Sequence, residues 1–470
     1  MKQIIKSFFF IAVLSLASCN EDFLELEPQQ SLSISSAIVD LGSLNAATLG
    51  LYSNLQDADI YGWDYPLIGD LRADNVFISS KNSNRYLAFD EYRLNEQSGD
   101  AAGQWLDMYA VIVNSSNVIN RTGEADILSS EQAEADNRVG EAYALRGLTY
   151  WNLVKYFARP YTAENGAGLG VPFNNEGTTG EIVTPSRETI ATVYNQIISD
   201  LNNAIDRLTL TDDGRMSQAG AQAILAKVYL YQGDWANAEA LANQVINNPD
   251  YSLYADGQAW LDSWGANIGS EDLFTVINTP TDNLGVNSVG GGYDQDGYGD
   301  FLATQDLYDI YSDTDARRDV MIPGDRADGE RGTFFPEGKY PNGETGQDYI
   351  KVMRLADVYL IRAEARAELG NEDGARADLD AVAGRVDPSY TASTASGQDL
   401  IDEILLERRK ELAFEGDRVY DLTRRQMSWI KFRTFDSQAV NWNDDQVYNP
   451  IPVAEIDNNP NMEQNPGYLQ

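Results

Sequence analysis

The feature that most constrains the fold is a pair of amphipathic stretches joined at a glycine. Such a pair occurs twice in the sequence. Residues 218–232 and 235–248 flank Gly233, and residues 354–370 and 373–385 form a second pair. In each stretch apolar residues recur at intervals of three and four, the period of a helix with one buried face. Glycine ends the first helix and lets the chain turn into the second. The pattern predicts two helix pairs whose apolar faces must be covered by neighbouring pairs.

Several other stretches share the helical period, and Ser186 is a candidate N-cap for one of them. The spacing of small and aromatic residues within the two pairs resembles that of tetratricopeptide repeats. The expected fold class is therefore mostly α, a tetratricopeptide-repeat helical scaffold with long inserted loops and minor β. The further helices are expected at 36–56, 100–121, 131–157, 187–208 and 398–414.

Long insertions separate the predicted helices. They are rich in Gly, Asn, Asp and aromatic residues, with a short strand-like run at 273–277. Loops of this length inside a compact domain are unusual and commonly carry function. We therefore expect the binding residues on these insertions, which span 57–99, 158–183, 249–353 and 418–470.

The composition excludes several classes of active site. The 470 residues contain no histidine and one cysteine, Cys19. Ser-His-Asp triads, His-ligated metals, cysteine clusters and disulfides within the chain are therefore impossible. The formal net charge is −39 and no basic cluster interrupts it, so nucleic acid is not expected as a partner.

The N-terminus has the features of a bacterial lipoprotein signal. Lys2 and Lys6 precede an apolar stretch too short to span a bilayer stably, and a Leu-Ala-Ser-Cys lipobox ends at Cys19. We predict a lipid anchor at Cys19. The Asn-Glu-Asp run at 20–22 resembles the acidic surface-export signal of Bacteroidetes lipoproteins, so the protein is expected on the outer membrane at the cell surface. The boundaries that follow are a signal peptide at 1–18, a lipidated tether at 19–36 and one domain at 37–470.

Several motifs resemble those of the SusD/RagB family of outer-membrane nutrient-binding lipoproteins, and together they extend over essentially the whole chain. Three fall on predicted helices or the turns after them, and two lie near the C-terminus. They are EAYALRGLTYWNLV at 141–154, LADVYLIRAEA at 355–365, ILLERRKELAFEGDR at 404–418, PIP at 450–452 and QNPGY at 464–468.

The resemblance implies four tetratricopeptide units as scaffold, a ligand site on the inserted loops and no enzymatic activity. It also implies a SusC-like TonB-dependent transporter as partner, over which the lipoprotein closes as a lid. Members of the family capture glycans, and some capture peptides, so a RagB-like peptide-binding subunit is the alternative. The negative charge favours a neutral glycan. The acidic composition suggests a saline habitat, which makes laminarin, a marine β-glucan, the specific expectation.

Aromatic residues on the insertions are the candidates for sugar stacking. The C–H faces of sugar rings pack on flat side chains, while amide and guanidinium groups bond the hydroxyls. In the family the glycan site is built from the first and third insertions, so we expect 57–99 and 249–353 to converge on one exposed face. Any of these side chains could instead pin its loop to the scaffold. The predicted ligand-binding residues are Trp63, Tyr65, Asn82, Arg85, Trp260, Trp264 and Tyr293.

One helical face carries closely spaced carboxylates at Glu407, Glu411 and Glu415. Such residues could form the acid pair of a glycoside hydrolase. Their interleaving with Arg408 and Arg418 favours an ion-pair lattice instead, because carboxylates next to arginine stay ionised.

A Gly-rich acidic loop at 294–300 could hold a structural calcium ion. Asp294, Asp296 and Asp300 offer the oxygen ligands that calcium prefers. The spacing does not follow the EF-hand pattern, in which a glutamate closes the loop. Apart from this calcium, no cofactor is expected.

Overall fold

The computed structural model describes residues 37–210, 214–324 and 334–468. Its fold is mostly helical, as predicted, and the long helices lie close to the stretches with the apolar period. Within these residues no helix combines the length and the apolar character that crossing a membrane requires. The long helices are α1 (Leu41–Leu55), α2 (Gly99–Arg121), α3 (Gln132–Phe157), α4 (Ile190–Arg207), α5 (Gln218–Gln232), α6 (Trp235–Ile246), α7 (Leu355–Glu368), α8 (Glu372–Val386) and α9 (Gly397–Glu411).

The two predicted helix pairs correspond to α5–α6 and α7–α8, and both use the same turn. Gly233 ends α5 with a φ of 81°, and the side chain of Asp234 then accepts a hydrogen bond from the first turn of α6. Gly370 has the same φ, and Asn371 caps α8 in the same way. Each long helix packs on its neighbour in a continuous series from α1 to α9, which is the arrangement of a helical repeat scaffold.

The N-cap of α4 differs from the prediction. Thr189 is the N-cap, and its side chain accepts a hydrogen bond from the backbone of Thr192. Ser186 precedes the helix by several residues and cannot cap it. Both residues have a capping hydroxyl, and the chain enters the helix at Thr189 because Leu169 and Thr189 form an isolated β-bridge just before it.

The insertions fold into short strands and short helices. An antiparallel sheet has the order β1-β3-β5-β4, and two further pairs are β2–β6 and β7–β8. The predicted strand at 273–277 corresponds to β2, shifted by one residue. The strands are β1 (Val76–Ile78), β2 (Asp272–Val276), β3 (Phe301–Ala303), β4 (Ile322–Pro323), β5 (Phe334–Phe335), β6 (Ile350–Arg354), β7 (Trp429–Phe432) and β8 (Ser437–Val440). The short helices are Asp64–Leu71, Leu87–Asp90, Tyr161–Glu164, Gly257–Leu261, Val289–Tyr293, Gln305–Asp309, Arg418–Arg424 and Val453–Asn458.

A pair of glycines joins the first insertion to the turn after α9. A Cβ added to Gly69 would lie 1.8 Å from the carbonyl oxygen of Gly416. Gly416 has a φ of 85°, and a Cβ added there would lie 2.0 Å from the carbonyl oxygen of Tyr65. Asp70 accepts a hydrogen bond from the Gly416 backbone at 2.9 Å. Two positions without side chains are therefore needed for this contact.

A buried network of charges ties α9 to the third insertion. Glu411 is fully buried and accepts hydrogen bonds from Arg317, Arg354 and Arg385 at 2.8–3.0 Å. Glu415 adds a bond to Arg354 at 2.7 Å. The arginines come from the insertion, from β6 and from α8, so one carboxylate fixes three separate elements. The predicted ion-pair lattice is confirmed, but Glu415 lies in the turn after α9, which ends at Glu411, and not on the helical face.

The same network keeps Glu411 ionised. Burial alone would raise the pKa of Glu411, but the charges of Arg385, Arg354 and Arg317 outweigh it and hold the pKa well below its usual range. A general acid needs a raised pKa. Glu411 therefore serves the structure and is not suited to protonate a glycosidic oxygen.

We predict that Glu411→Gln destabilises the protein by about 3–5 kcal/mol, because it leaves three buried guanidinium groups short of one counter-charge. Urea unfolding followed by circular dichroism measures the change. The matched control is Glu372→Gln, which loosens a surface pair with Arg376 and should cost at most about 1 kcal/mol. Equal losses for the two variants would contradict a special role for Glu411.

Candidate functional site

The first and third insertions converge, as predicted. Strand β1 of the first pairs antiparallel with β3 of the third, and Ile78 lies opposite Phe301. Beyond the strands, the Ser79 backbone donates to the carbonyl of Asp300 at 2.8 Å. The loops after β1 and before β3 therefore emerge side by side on the same surface.

The predicted aromatics of the two insertions lie below that surface. Trp63 is 4% exposed and stacks on Tyr86 with ring centroids 5.9 Å apart. Tyr65 is buried with its hydroxyl against Lys155. Tyr293 is fully buried and stacks on Tyr340. The expectation that Trp63 is an exposed stacking surface is wrong, because the following loop covers its indole; Tyr65 and Tyr293 are likewise covered.

Trp260 and Trp264 are also buried, at 0% and 7% exposure, and they pack edge to face on each other. The Trp260 indole N–H donates to Glu411 at 3.1 Å, and Lys339 lies over the Trp264 ring at 4.5 Å. The prediction of two exposed stacking rings here is wrong. Both rings hold the insertion against α9, which is the pinning role that the sequence left open.

Arg85 lies at the surface where the insertions meet. Its guanidinium stacks over the Tyr298 ring at 3.9 Å and pairs with Asp300 at 2.6 Å. The Tyr298 hydroxyl donates to Asn287 at 2.7 Å. Arg85 thus links the two loops across the surface, and its half-exposed side chain can still contact a ligand.

Beside this contact, the loop after β1 faces the tip of the β7–β8 hairpin across an open groove of about 330 Å³, which we call the hairpin groove. Residues 78–91 form one wall and 433–436 the other. Thr434 donates to the carbonyl of Ile78, and Lys431 pairs with Asp90 at 2.8 Å. The hairpin is therefore fixed to the first insertion, and the groove is a defined feature of the fold.

The side chains in the hairpin groove suit a polar ligand with an apolar face. Both polar atoms of the Asn82 side-chain amide are buried and lack a hydrogen-bond partner among the described residues. Across the groove, the Arg433 Nε has no hydrogen-bond partner among the described residues, although it lies 3.9 Å from a carboxylate oxygen of Asp90. Phe435 is 82% exposed. An unpartnered amide loses several interactions with water unless a ligand replaces them.

The wall that carries Asn82 is also conformationally strained. Asn84 and Tyr86 have φ values of 68° and 56°, in the left-handed region that residues with side chains rarely adopt. Strain of this kind clusters at ligand sites, where the surrounding structure maintains it.

Of the residues in or beside the hairpin groove, the sequence suggested Asn82 and Arg85 as ligand-binding residues, which stays a prediction, and it did not suggest Arg433 or Phe435. The signal for Phe435 was an aromatic ring in the polar turn Arg433-Thr434-Phe435-Asp436, outside any helix period. A single exposed ring is common on protein surfaces, so the sequence alone does not distinguish Phe435 from an ordinary surface residue.

The acidic loop proposed for calcium does not bring its carboxylates together. Asp300 is paired with Arg85, and Asp294 accepts a bond from the backbone of Asp296 in a local turn. Within the described ranges, the acidic side chains close enough to share one cation lie elsewhere, at Asp57, Asp59 and Asp107. The calcium expectation itself stays a prediction.

We predict that the stability of the protein falls as pH rises from about 4 to 7 because of Asp59. Burial and the charges of Asp107 and Asp57 raise the pKa of Asp59 from 3.8 to about 7. The folded state binds a proton there that the unfolded state releases, so its stabilising effect is lost through this window.

Asp59→Asn removes this proton linkage, so its melting temperature should rise relative to the natural protein as pH increases. Melting curves between pH 4 and 8, with a chelator present, measure the difference. Asp206→Asn, at an exposed site on α4, is the control and should shift the curve equally at every pH. A difference for Asp59→Asn that does not change with pH would refute the assignment.

The sequence and the fold are both similar to those of known proteins. The model of a family described as starch-binding proteins associating with the outer membrane matches residues 22–230, and the SusD family model matches 329–468. A SusD-like protein of Formosa agariphila is 28% identical over 98% of this chain and 99% of its own length. The starch-binding protein SusD of Bacteroides thetaiotaomicron is 26% identical over 78% of this chain and 60% of its own.

Solved structures agree. A SusD superfamily protein of Bacteroides vulgatus superposes with a TM-score of 0.85 at 27% identity, over 92% of this chain and all of its own. A protein of the same organism described as a putative sugar-binding protein has a TM-score of 0.83 at 27% identity over the same shares. The two family models together cover well over half of the chain, and the fold agrees throughout. The chain therefore belongs to the SusD/RagB family.

Proposed function

We propose that this protein is a surface glycan-binding lipoprotein that captures oligosaccharides or polysaccharides and delivers them to a SusC-like TonB-dependent transporter. Membership of the SusD/RagB family supports the role. The printed names of two relatives, a starch-binding protein and a putative sugar-binding protein, support the ligand class. The lipobox at Cys19, which lies outside the described residues, supports the attachment to the outer membrane.

The hairpin groove is the proposed glycan site, and the unpartnered amide of Asn82 opposite the exposed ring of Phe435 is the observation that carries it. A sugar ring can pack its C–H face on Phe435 while its hydroxyls bond the amide and the guanidinium of Arg433. Arg85 lies next to the groove and is positioned to extend the site along a longer chain.

The ligand is a neutral glycan in this proposal. Most arginines in the described part of the chain are bound in ion pairs, many of them buried, whereas the net charge is −39. The surface field is therefore negative, and it repels uronate or sulfate polymers. Laminarin, an uncharged β-glucan, is the first ligand to test.

The protein acts without catalysis in this proposal. The carboxylates that suggested a glycoside hydrolase, Glu407, Glu411 and Glu415, are bound by arginine or lysine inside the fold. None of the three is free to approach a glycosidic bond. Binding without turnover of the same glycan is the expected behaviour.

Peptide capture is the second candidate, and the β7–β8 hairpin favours it. This sheet contains two strands, and three of the four residues of β8 are exposed. An open strand edge beside the groove can accept an extended peptide through backbone hydrogen bonds. Glycan capture and peptide capture therefore predict different ligands for the same hairpin groove.

We predict that Phe435→Ala weakens glycan binding by about 5-fold to 150-fold, the loss expected for one flat-on-flat stacking contact of about 1–3 kcal/mol. Asn82→Ala should weaken it by about 2-fold to 12-fold, the value of one or two neutral hydrogen bonds. Calorimetry with laminarin, or with the best ligand from a glycan array, measures both effects. Melting temperatures should hardly change, because Phe435 is exposed.

Two controls separate binding from folding. Ile182→Ala alters a residue that is 96% exposed on another loop and should change neither quantity. Trp260→Ala should lower the melting temperature strongly, since it empties a buried site. If the glycan binds all groove variants equally, the site lies elsewhere. If only peptides bind, and Phe435→Ala weakens them, the second candidate replaces the first.

For the anchor, we predict that Cys19→Ala abolishes incorporation of labelled palmitate and removes the protein from the outer-membrane fraction. The thiol is the lipidated atom, and alanine cannot carry the modification. Ser18→Ala is the matched control and should be processed normally, because the lipobox accepts small residues. Recovery of the Cys19→Ala chain in the outer membrane, in cells without the transporter, would contradict the anchor.

A further inference from the structure

A buried acid and a buried base beneath the hairpin groove have no ion-pair partner. Asp64 is fully buried and Arg72 nearly so, and neither forms an ion pair with another residue of the described ranges. They stand at opposite ends of the short helix Asp64–Leu71, whose C-cap is Arg72. Burying such groups without compensation is strongly unfavourable, so the fold has to stabilise them in another way.

Hydrogen bonds through two buried amides connect the acid to the base. Arg72 Nη1 donates to Asn449 Oδ1 at 2.7 Å, and Asn449 Nδ2 donates to Gln104 Oε1 at 2.6 Å. Gln104 Nε2 then donates to Asp64 Oδ2 at 2.5 Å. A guanidinium group only donates, so it fixes the orientation of the first amide, and that amide fixes the second. We call these four side chains the amide relay.

The Asp64 end of the relay holds the wall of the groove that carries Asn82. The Tyr86 hydroxyl donates to Asp64 Oδ1. Tyr86 has its φ of 56° in this wall, a strained conformation that the surrounding structure has to maintain. Burial raises the pKa of Asp64, so its carboxyl group depends on the bonds from Tyr86 and Gln104 for compensation. The strained backbone and the buried acid therefore stabilise each other.

The Arg72 end holds the base of the opposite wall. Arg72 Nη2 donates to the carbonyl of Gln446 at 2.6 Å. The backbone carbonyl of Arg72 accepts a bond from the Trp429 indole at 3.1 Å. Trp429 is the first residue of β7, the strand that leads to the hairpin tip at 433–436. One set of side chains thus contacts the base of both walls.

We propose that Asp64 and Arg72 are positioning residues for the hairpin groove, and that the amide relay between them sets the two walls relative to each other. None of the four relay residues lines the groove, so they act through Tyr86 and Trp429. The importance of this positioning for a ligand rests on the function proposed above, in which one glycan contacts both walls. Such contacts require both walls to be held in place.

Thiol labelling tests the relay without any ligand. The chain from residue 20 keeps every described residue and contains no cysteine, because Cys19 is the only one. Asn82→Cys places a single thiol in the wall, and its reaction with dithiodipyridine at pH 6 is followed by absorbance. Adding Gln104→Leu, which cannot bond Asp64 or Asn449, should speed labelling by about 10-fold or more, the effect of losing a hydrogen bond to a charged group.

The conservative substitution should restore slow labelling. In Gln104→Glu the new carboxyl group can share one proton with Asp64 and still accept the bond from Asn449. Labelling at position 82 should then stay near the starting rate. Labelling as fast as in Gln104→Leu would overturn the proposal, because the two side chains differ in the polar atoms of the relay.

A second thiol separates positioning from general loosening. Ser115 is fully buried on α2, the helix that carries Gln104, and its hydroxyl has no partner among the described residues. Ser115→Cys should react only when the scaffold opens, so Gln104→Leu should speed it much less. Equal acceleration at 82 and 115 would overturn the proposal. Tyr86→Phe removes only the last hydroxyl and should also speed labelling at 82; an unchanged rate there would refute the relay even if Gln104→Leu does not fold.

Glycan affinity is a separate readout. In calorimetry with laminarin at the same pH, Gln104→Leu should weaken binding and Gln104→Glu should not. If labelling follows the relay but the natural protein binds no glycan, the proposed function fails and the relay stands. If the natural protein binds and Gln104→Leu binds equally well, the relay does not position the groove for its ligand and the proposal is wrong.

Discussion

The contact between Glu411 and its three arginines is the interaction on which the rest of the structure depends. Burying a carboxylate and several guanidinium groups costs free energy, and only complete pairing offsets that cost. The pairing demands that α9, α8, β6 and the turn containing Arg317 meet at one point. Apolar packing tolerates small shifts in position. A buried ion pair does not, because a shift separates each charge from its partner. The network therefore fixes the register of the third insertion on the scaffold.

The proposed binding surface depends on that register through a series of contacts. Trp260 bonds Glu411, so the start of the insertion is fixed to α9. Further along the insertion, β3 pairs with β1 and sets where the loop after β1 emerges. The hairpin then attaches to the same loop through Lys431 and Thr434. The insertions are rich in glycine and asparagine, yet their loops are held by paired strands and by α9. Such support is what precise ligand contacts require.

The sequence was sufficient to predict the helices and insufficient to predict the solvent exposure of the loop aromatics. A helix imposes its period on the residues beside it, so α5 and α6 could be located from local spacing. Whether Trp260 faces water depends on Glu411, which lies 151 positions away. No local pattern contains that information. Asn82 could be proposed because it lies in the first insertion and its amide can hydrogen-bond sugar hydroxyls. Phe435 was missed because its importance follows from the position of the β7–β8 hairpin in space.

The charges of this chain bear both on its stability and on the proposed ligand. The chain has 34 basic and 73 acidic residues, and many of its arginines and lysines are buried in ion pairs with buried carboxylates. These pairs hold the scaffold together, and the net charge of −39 still gives the protein a negative field. Such a field repels a polyanion before it reaches any groove. For the neutral glycan proposed above there is no such barrier, and we expect its affinity to depend on rings and amides that salt does not screen. The expected selection against charged polymers thus follows from the excess of acids that the internal pairs do not neutralise.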